Sequence, residues 1–184
     1  MENRKLNENT HNIKKGVIIV ITGDGKGKTT SAIGTIIRAV GHKQKVCFIQ
    51  FIKGNWKTGE MIFFSENNYV DYHISGEGFT WDSKDINKDI MAAKKGWEIA
   101  KKAILSDNYE LIVLDEFNLV LDYNFIDTNE VIEVIKKKNN DTSIILTGRN
   151  ANKDIIEIAD TVSNIQPIKH AYEANILAKK GVEY

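Results

Sequence analysis

The chain holds one cysteine, one proline and no excess of either charge: 25 Lys and Arg stand against 25 Asp and Glu in 184 residues. Cys47 alone excludes an internal disulfide and any four-cysteine zinc centre, which fits a reducing compartment. Balanced charge implies no broad basic surface, so duplex nucleic acid is not expected as the main partner. No segment reaches the roughly 18 apolar residues of a membrane span, and the polar stretch from Met1 to Lys15 lacks a signal-peptide core. A soluble, cytoplasmic protein is expected. Its length and 42% hydrophobic content suit one core, read as a single domain over residues 16–184 behind a flexible arm at 1–15.

What is present is alternation. Short apolar runs at Val17–Ile21, Lys45–Phe51, Tyr69–Ile74, Leu111–Leu114, Ser143–Leu146 and Thr161–Ile165 read as strands. Amphipathic stretches at Thr29–Val40, Lys84–Leu105, Asp127–Lys138 and Lys153–Ala159 read as helices between them. In the first, Ala32, Ile33, Ile36, Ile37 and Val40 share a side, and Gly41 suits a left-handed cap. In the third, Asp127 and Glu130 occupy cap and third positions, and three lysines close the pattern. The order predicts an α/β fold, a P-loop NTPase-like (RecA-like) domain with a mostly parallel sheet of about six strands flanked by helices. Residues beyond Pro167 read as a docked tail with a short helix.

The first strand runs into Thr22-Gly23-Asp24-Gly25-Lys26-Gly27-Lys28-Thr29-Thr30, and a helix follows. Clustered glycines let backbone N–H groups turn toward an anion, lysine adds a fixed charge, and the Thr29 hydroxyl suits Mg2+. The helix start adds its positive dipole end. The loop is a variant, because the pattern G-x-x-x-x-G-K-[ST] puts glycine where Thr22 stands. These features mark a nucleotide site, with ATP or GTP as ligand.

The fourth strand delivers Asp115 and Glu116 to its carboxyl end, the edge where parallel sheets hold ligands. Thr29 with Asp115 or Glu116 offers the oxygen donors that Mg2+ prefers. On its own the pair suits hydrolysis or phosphoryl transfer, and a kinase, an NTPase or a nucleotide-binding regulatory module shares it. The glycine-rich stretch Gly76–Trp81 leaves two readings open: Phe79 and Trp81 pack in the core or a lid, or they set flat apolar surface near a triphosphate, an odd choice where water must enter.

Eight ordered blocks complete the pattern: the loop itself, Arg38–His42, Gln50–Gly54, Gly78–Trp81, Val113–Glu116, Thr147–Arg149, Ala159–Ser163 and Lys169–Ala171. Together they resemble the corrinoid adenosyltransferases of cobalamin synthesis and salvage, from about Gly16 to Tyr184. The resemblance implies that Co(I) of a reduced corrinoid attacks the 5′ carbon of ATP and displaces the whole triphosphate. Loop residues Thr22 to Thr30, with Lys53 and Arg149, are then the nucleotide contacts. Lys28 carries charge at the leaving group, and Thr29 and Glu116, with Asp115 nearby, hold Mg2+. Phe79 and Trp81 match aromatics that cover the lower face of the corrin and keep an axial ligand off cobalt, easing reduction of Co(II). An electron-donating reductase and a homodimer, with the arm covering a neighbour's site, are implied as partners.

Asp24 stands where the family carries asparagine and is expected to weaken ATP unless it points outward. Arg149 is read as a partner for phosphate or a corrin amide. Cys47 reads as a buried strand residue, and the four histidines lack metal-ligand spacing.

Overall fold

The structure, a computed structural model, describes residues 14–52, 57–76 and 86–184. Lys53, Phe79 and Trp81 lie outside these, as do the first thirteen residues of the expected arm. Lys15, within that arm, is tied to Asp160 by an ion pair of 2.6 Å.

All six expected strands form, within a residue at each end: β1 Ile18–Thr22, β2 Val46–Phe51, β3 Val70–Ser75, β4 Leu111–Asp115, β5 Ser143–Thr147 and β6 Thr161–Asn164. They make one all-parallel sheet in the order β3-β2-β4-β5-β1-β6. The P-loop NTPase-like α/β fold is therefore observed. β5 lies between the strand that feeds the loop and the strand that ends in Asp115, so the two motifs face each other across one intervening strand. Burial on both faces explains the continuous apolar runs; every residue of β2 and of β4 is buried.

Helices α1 (Lys28–Gly41) and α2 (Gly59–Ser65) cover one face, where Ile36, Phe48, Phe64 and Val113 pack together. Helices α3 (Ile86–Ile104), α4 (Phe117–Asp122), α5 (Thr128–Ile135) and α6 (Lys153–Ile158) belong to the other, whose core joins Phe51, Trp97, Phe117 and Leu121. Trp97 stacks on Phe117 with ring centroids 5.5 Å apart. Gly96 allows α3 to press against Ser75 and Phe51, since a Cβ there would collide with both side chains.

Three local expectations are corrected. The left-handed residue after α1 is Lys43 (φ 60°), while Gly41 stays helical, because the chain continues helically to a cap at His42. Asp127 does cap α5, accepting the Asn129 N–H at 2.9 Å, but Glu130 turns outward to Trp97 Nε1 (2.9 Å) and Lys101 Nζ (2.6 Å) instead of returning to the cap. The apolar stripe of α1 is divided: Ala32, Ile36 and Ala39 enter the core, whereas Ile37 is 52% exposed. Helices α2 and α4 were not expected. The six-residue α4 starts at once after the acidic pair with no side-chain cap, and α2 opens on Gly59 with only Thr58 as signal.

The tail beyond Pro167 contains one 3-10 turn, Ala171–Ala174, and is largely exposed, with Ile168 94% and Leu177 90% accessible. Its start and its end both lie beside the glycine-rich loop, where each shares a cavity with Lys26. Cys47 is buried in β2, where burial pushes its thiol up to about 12. No described helix is long and apolar enough to cross a membrane.

Candidate nucleotide site

Five loop residues, Lys26 to Thr30, line a cavity of about 530 Å³. Glu116 lines it from the end of β4, Ile33 and Ile37 from α1, and Glu60, Phe63 and Phe64 from α2. The cavity therefore has a cationic, hydrogen-bonding end and an apolar end. Ile33 and Ile37 line this cavity because they sit one helical step round from the core stripe.

The first half of the loop does a different job. Thr22, where a glycine is usual, is buried at the end of β1, and its hydroxyl accepts the Ala151 N–H at 3.2 Å. Gly23 (φ 98°) lies so close to Asn164 and Ile165 that a side chain would collide with them. The Gly25 N–H donates to the Ile165 carbonyl at 2.8 Å, so this amide serves to moor the loop to the end of β6. Asp24 points outward, 69% exposed at its side chain, with its carboxylate 3.6 Å from Arg149 Nε. Each of the two moderates the other's charge beside the loop, and Arg149 does not line the cavity.

Lys28 is buried, and its Nζ donates to the Gly25 carbonyl at 2.8 Å. Burial pushes its ammonium below the ordinary lysine value; Glu116 pulls it back up, and Arg149 adds to the lowering. Gly27 (φ 116°) precedes it in a conformation that favours glycine.

The acidic pair divides its labour. Asp115 is fully buried: Oδ1 accepts the Thr147 hydroxyl at 2.6 Å and Oδ2 accepts Gln50 Nε2 at 3.0 Å. Tyr72 continues the chain by donating its hydroxyl to Gln50 Oε1. Thr147 Oγ1 also accepts the Glu116 N–H at 2.9 Å, which helps hold Glu116 in its left-handed conformation (φ 60°). Asp115 thus acts on the cavity through Thr147 and Glu116, and Glu116 is the member of the acidic pair that lines the wall, which Glu60 and Glu183 also line. The oxygen donors there, the Thr29 hydroxyl and Glu116, are those Mg2+ takes. Among the described residues no group of three His, Cys, Asp or Glu gathers.

Two sets of residues were not foreseen. One is the α2 wall, hidden because a seven-residue helix leaves little periodicity. The other is the chain end, where Gly181, Val182, Glu183 and Tyr184 line the same cavity and Glu183 pairs with Lys26. Nothing in local sequence announces a contact 157 residues away.

A parallel sheet whose first strand feeds a glycine-rich, lysine-bearing loop at the start of a helix defines a P-loop NTPase-like protein. Comparison narrows the class. The family model described as "ATP:corrinoid adenosyltransferase BtuR/CobO/CobP" matches residues 14–184. The chain is 40% identical over 171 residues to a corrinoid adenosyltransferase of Escherichia coli K12, covering 93% of this chain and 87% of that one. It is 41% identical over 172 residues to one from Pseudomonas aeruginosa, covering 93% and 85%. A Salmonella typhimurium corrinoid adenosyltransferase matches at 39% over 171 residues, covering 93% and 87%. The chain belongs to the ATP:corrinoid adenosyltransferase family, an enzyme family of transferases.

Proposed function

We propose that the protein transfers the 5′-deoxyadenosyl group of ATP to Co(I) of a reduced corrinoid and releases triphosphate. The observation that carries the reading is the two-ended cavity: loop cations gather at one end, and Ile33, Ile37 and Phe63 stand at the other. A Co(I) centre is itself a strong nucleophile, so the protein needs no general base. Its electron pair forms the cobalt–carbon bond as the C5′–O bond breaks, and that bond's pair leaves with the triphosphate. The chain's task is to favour the departing charge, which Lys28, Lys26 and the loop amides do by position. Lys28, kept in place by the Gly25 carbonyl, exchanges that contact for phosphate oxygen when the nucleotide arrives.

Thr29 and Glu116 would hold Mg2+, with phosphate oxygens completing its shell; when bound, the ion supplies further positive charge at the leaving group. Asp115 orients Glu116 through Thr147. Asp24, turned to Arg149, costs the nucleotide less than its place in the loop suggests. Phe79 and Trp81 keep the roles that the resemblance implies, and Lys53 that of a nucleotide contact. Co(I) has to be generated, so an electron-donating reductase is the expected partner in the cytoplasm. A homodimer accords with the accessible apolar residues Ile168, Tyr172 and Leu177.

The test is to incubate the protein with ATP, Mg2+ and chemically reduced cobalamin and identify the phosphate product. Triphosphate formed only with corrinoid is expected, whereas ADP or orthophosphate would overturn the reading. Trp81→Ala should slow turnover that starts from Co(II) about tenfold more than turnover that starts from Co(I); equal losses would remove the role given to Trp81.

A further inference from the structure

We propose that a second cavity beside the loop is an anion subsite for the distal end of a polyphosphate, and that Glu183 is the internal counter-ion which such an anion displaces. This deepens the reading above and rests on it, because it takes the loop to hold a triphosphate. The second cavity, about 270 Å³, is lined by Lys26, Gln166, Lys169, His170 and Glu183 among others. Lys26 and Glu183 also line the nucleotide cavity, so their ion pair is the partition between the two.

Chemistry at this second cavity favours an anion. Lys26 and Lys169 bring two positive charges, offset by one carboxylate. His170 Nδ1 accepts the Tyr172 N–H at 3.1 Å, which assigns the imidazole proton to Nε2 and makes that nitrogen a donor. Glu183 is presented by a tight turn: the Val182 and Glu183 N–H groups both donate to the Lys179 carbonyl, at 3.0 and 2.8 Å, and Gly181 takes a left-handed φ of 80°. The side chains of Lys26 and Glu183 are 43% and 29% exposed, and ion pairs as exposed as this are weak. A triphosphate with about four negative charges outcompetes a single carboxylate for Lys26. Displacing Glu183 removes the single carboxylate side chain from the lining of the second cavity and joins the two cavities at the lysine.

Calorimetric titration of the full chain with inorganic tripolyphosphate, ATP and AMP tests the proposal. Lys169→Gln, at an exposed position, should weaken tripolyphosphate about fivefold and leave AMP within about twofold. Glu183→Gln should tighten tripolyphosphate about threefold to tenfold. Weakening of both ATP and tripolyphosphate by Lys169→Gln assigns the subsite to the bound nucleotide; weakening of tripolyphosphate alone assigns it to the released product. An unchanged tripolyphosphate affinity in Lys169→Gln, or weaker binding in Glu183→Gln, overturns the subsite while leaving the loop reading intact. If the parent binds neither ATP nor tripolyphosphate, both readings fall together.

Discussion

The two halves of the candidate nucleotide site are built by opposite means. One half hangs on the sheet interior, where Asp115, Gln50 and Thr147 are buried and joined to one another by hydrogen bonds at 2.6 and 3.0 Å, so that Glu116 has one place to stand. The other half hangs on β6 and the chain end, where every residue of β6 is exposed and one surface ion pair joins Glu183 to the loop. A buried network holds geometry because an unpaired partner has no water to turn to, whereas an exposed pair is replaceable. The difference separates a fixed frame, suited to the carboxylate proposed to hold Mg2+, from an exchangeable wall, suited to the proposed entry and exit of a polyanion.

The comparison can be broken from either side. Lys28→Ala should cost on the order of 10² to 10³ in turnover, because it removes a fixed charge from the leaving group; steady-state rates with ATP and reduced corrinoid measure it, and a loss below tenfold contradicts the role of Lys28. Asp115→Ala should destabilise the fold by about 2–4 kcal/mol by leaving Gln50 and Thr147 without a buried partner, read as a lower denaturation midpoint. A stability change within about 0.5 kcal/mol would show that the frame is not over-determined. Glu116→Gln should leave stability nearly unchanged but raise the Mg2+ concentration needed for half-maximal rate by roughly tenfold or more. Unaltered Mg2+ dependence would move the metal to another residue.

The smallest effect belongs to the exchangeable side. Asp160 is held below the usual carboxylate value, first by the Lys15 ammonium and then by the Ile18 N–H, which donates at 2.8 Å. A lowered folded-state pKa means that this stabilisation is present above the unfolded carboxylate range and is lost as pH falls through the lowered value. Asp160→Asn should therefore flatten the acid side of the stability profile, shifting the melting temperature at neutral pH by no more than about 2 °C, as scanning calorimetry can measure. A shift as large as that of Asp115→Ala would erase the distinction between the halves.

Legibility followed the same division. Six strands and four of the six α-helices among the described residues could be read because each is a run of local pattern: continuous apolar runs for the strands, 3.6-residue spacing for α1 and α3, a side-chain cap for α5. The loop and the acidic pair were equally plain, since both are contiguous. Harder to see were α2 and α4, at seven and six residues too short for periodicity to accumulate. Glu130 shows how a correct local signal is overruled: the capping position was right, but Trp97 and Lys101 from α3 offered its carboxylate stronger partners.

By itself, the order of residues determined the sheet-and-helix alternation, a phosphate loop at a helix start, two carboxylates at a strand end and the family to which these belong. Tertiary structure alone decided that Asp115 supports while Glu116 lines the wall, that Asp24 meets Arg149, that Ile33 and Ile37 line the cavity, and that Glu183 reaches Lys26. The physical reason is separation along the chain. Propensity and periodicity act over a few residues, but burial, charge pairing and cavity shape arise only where segments far apart in sequence are packed side by side.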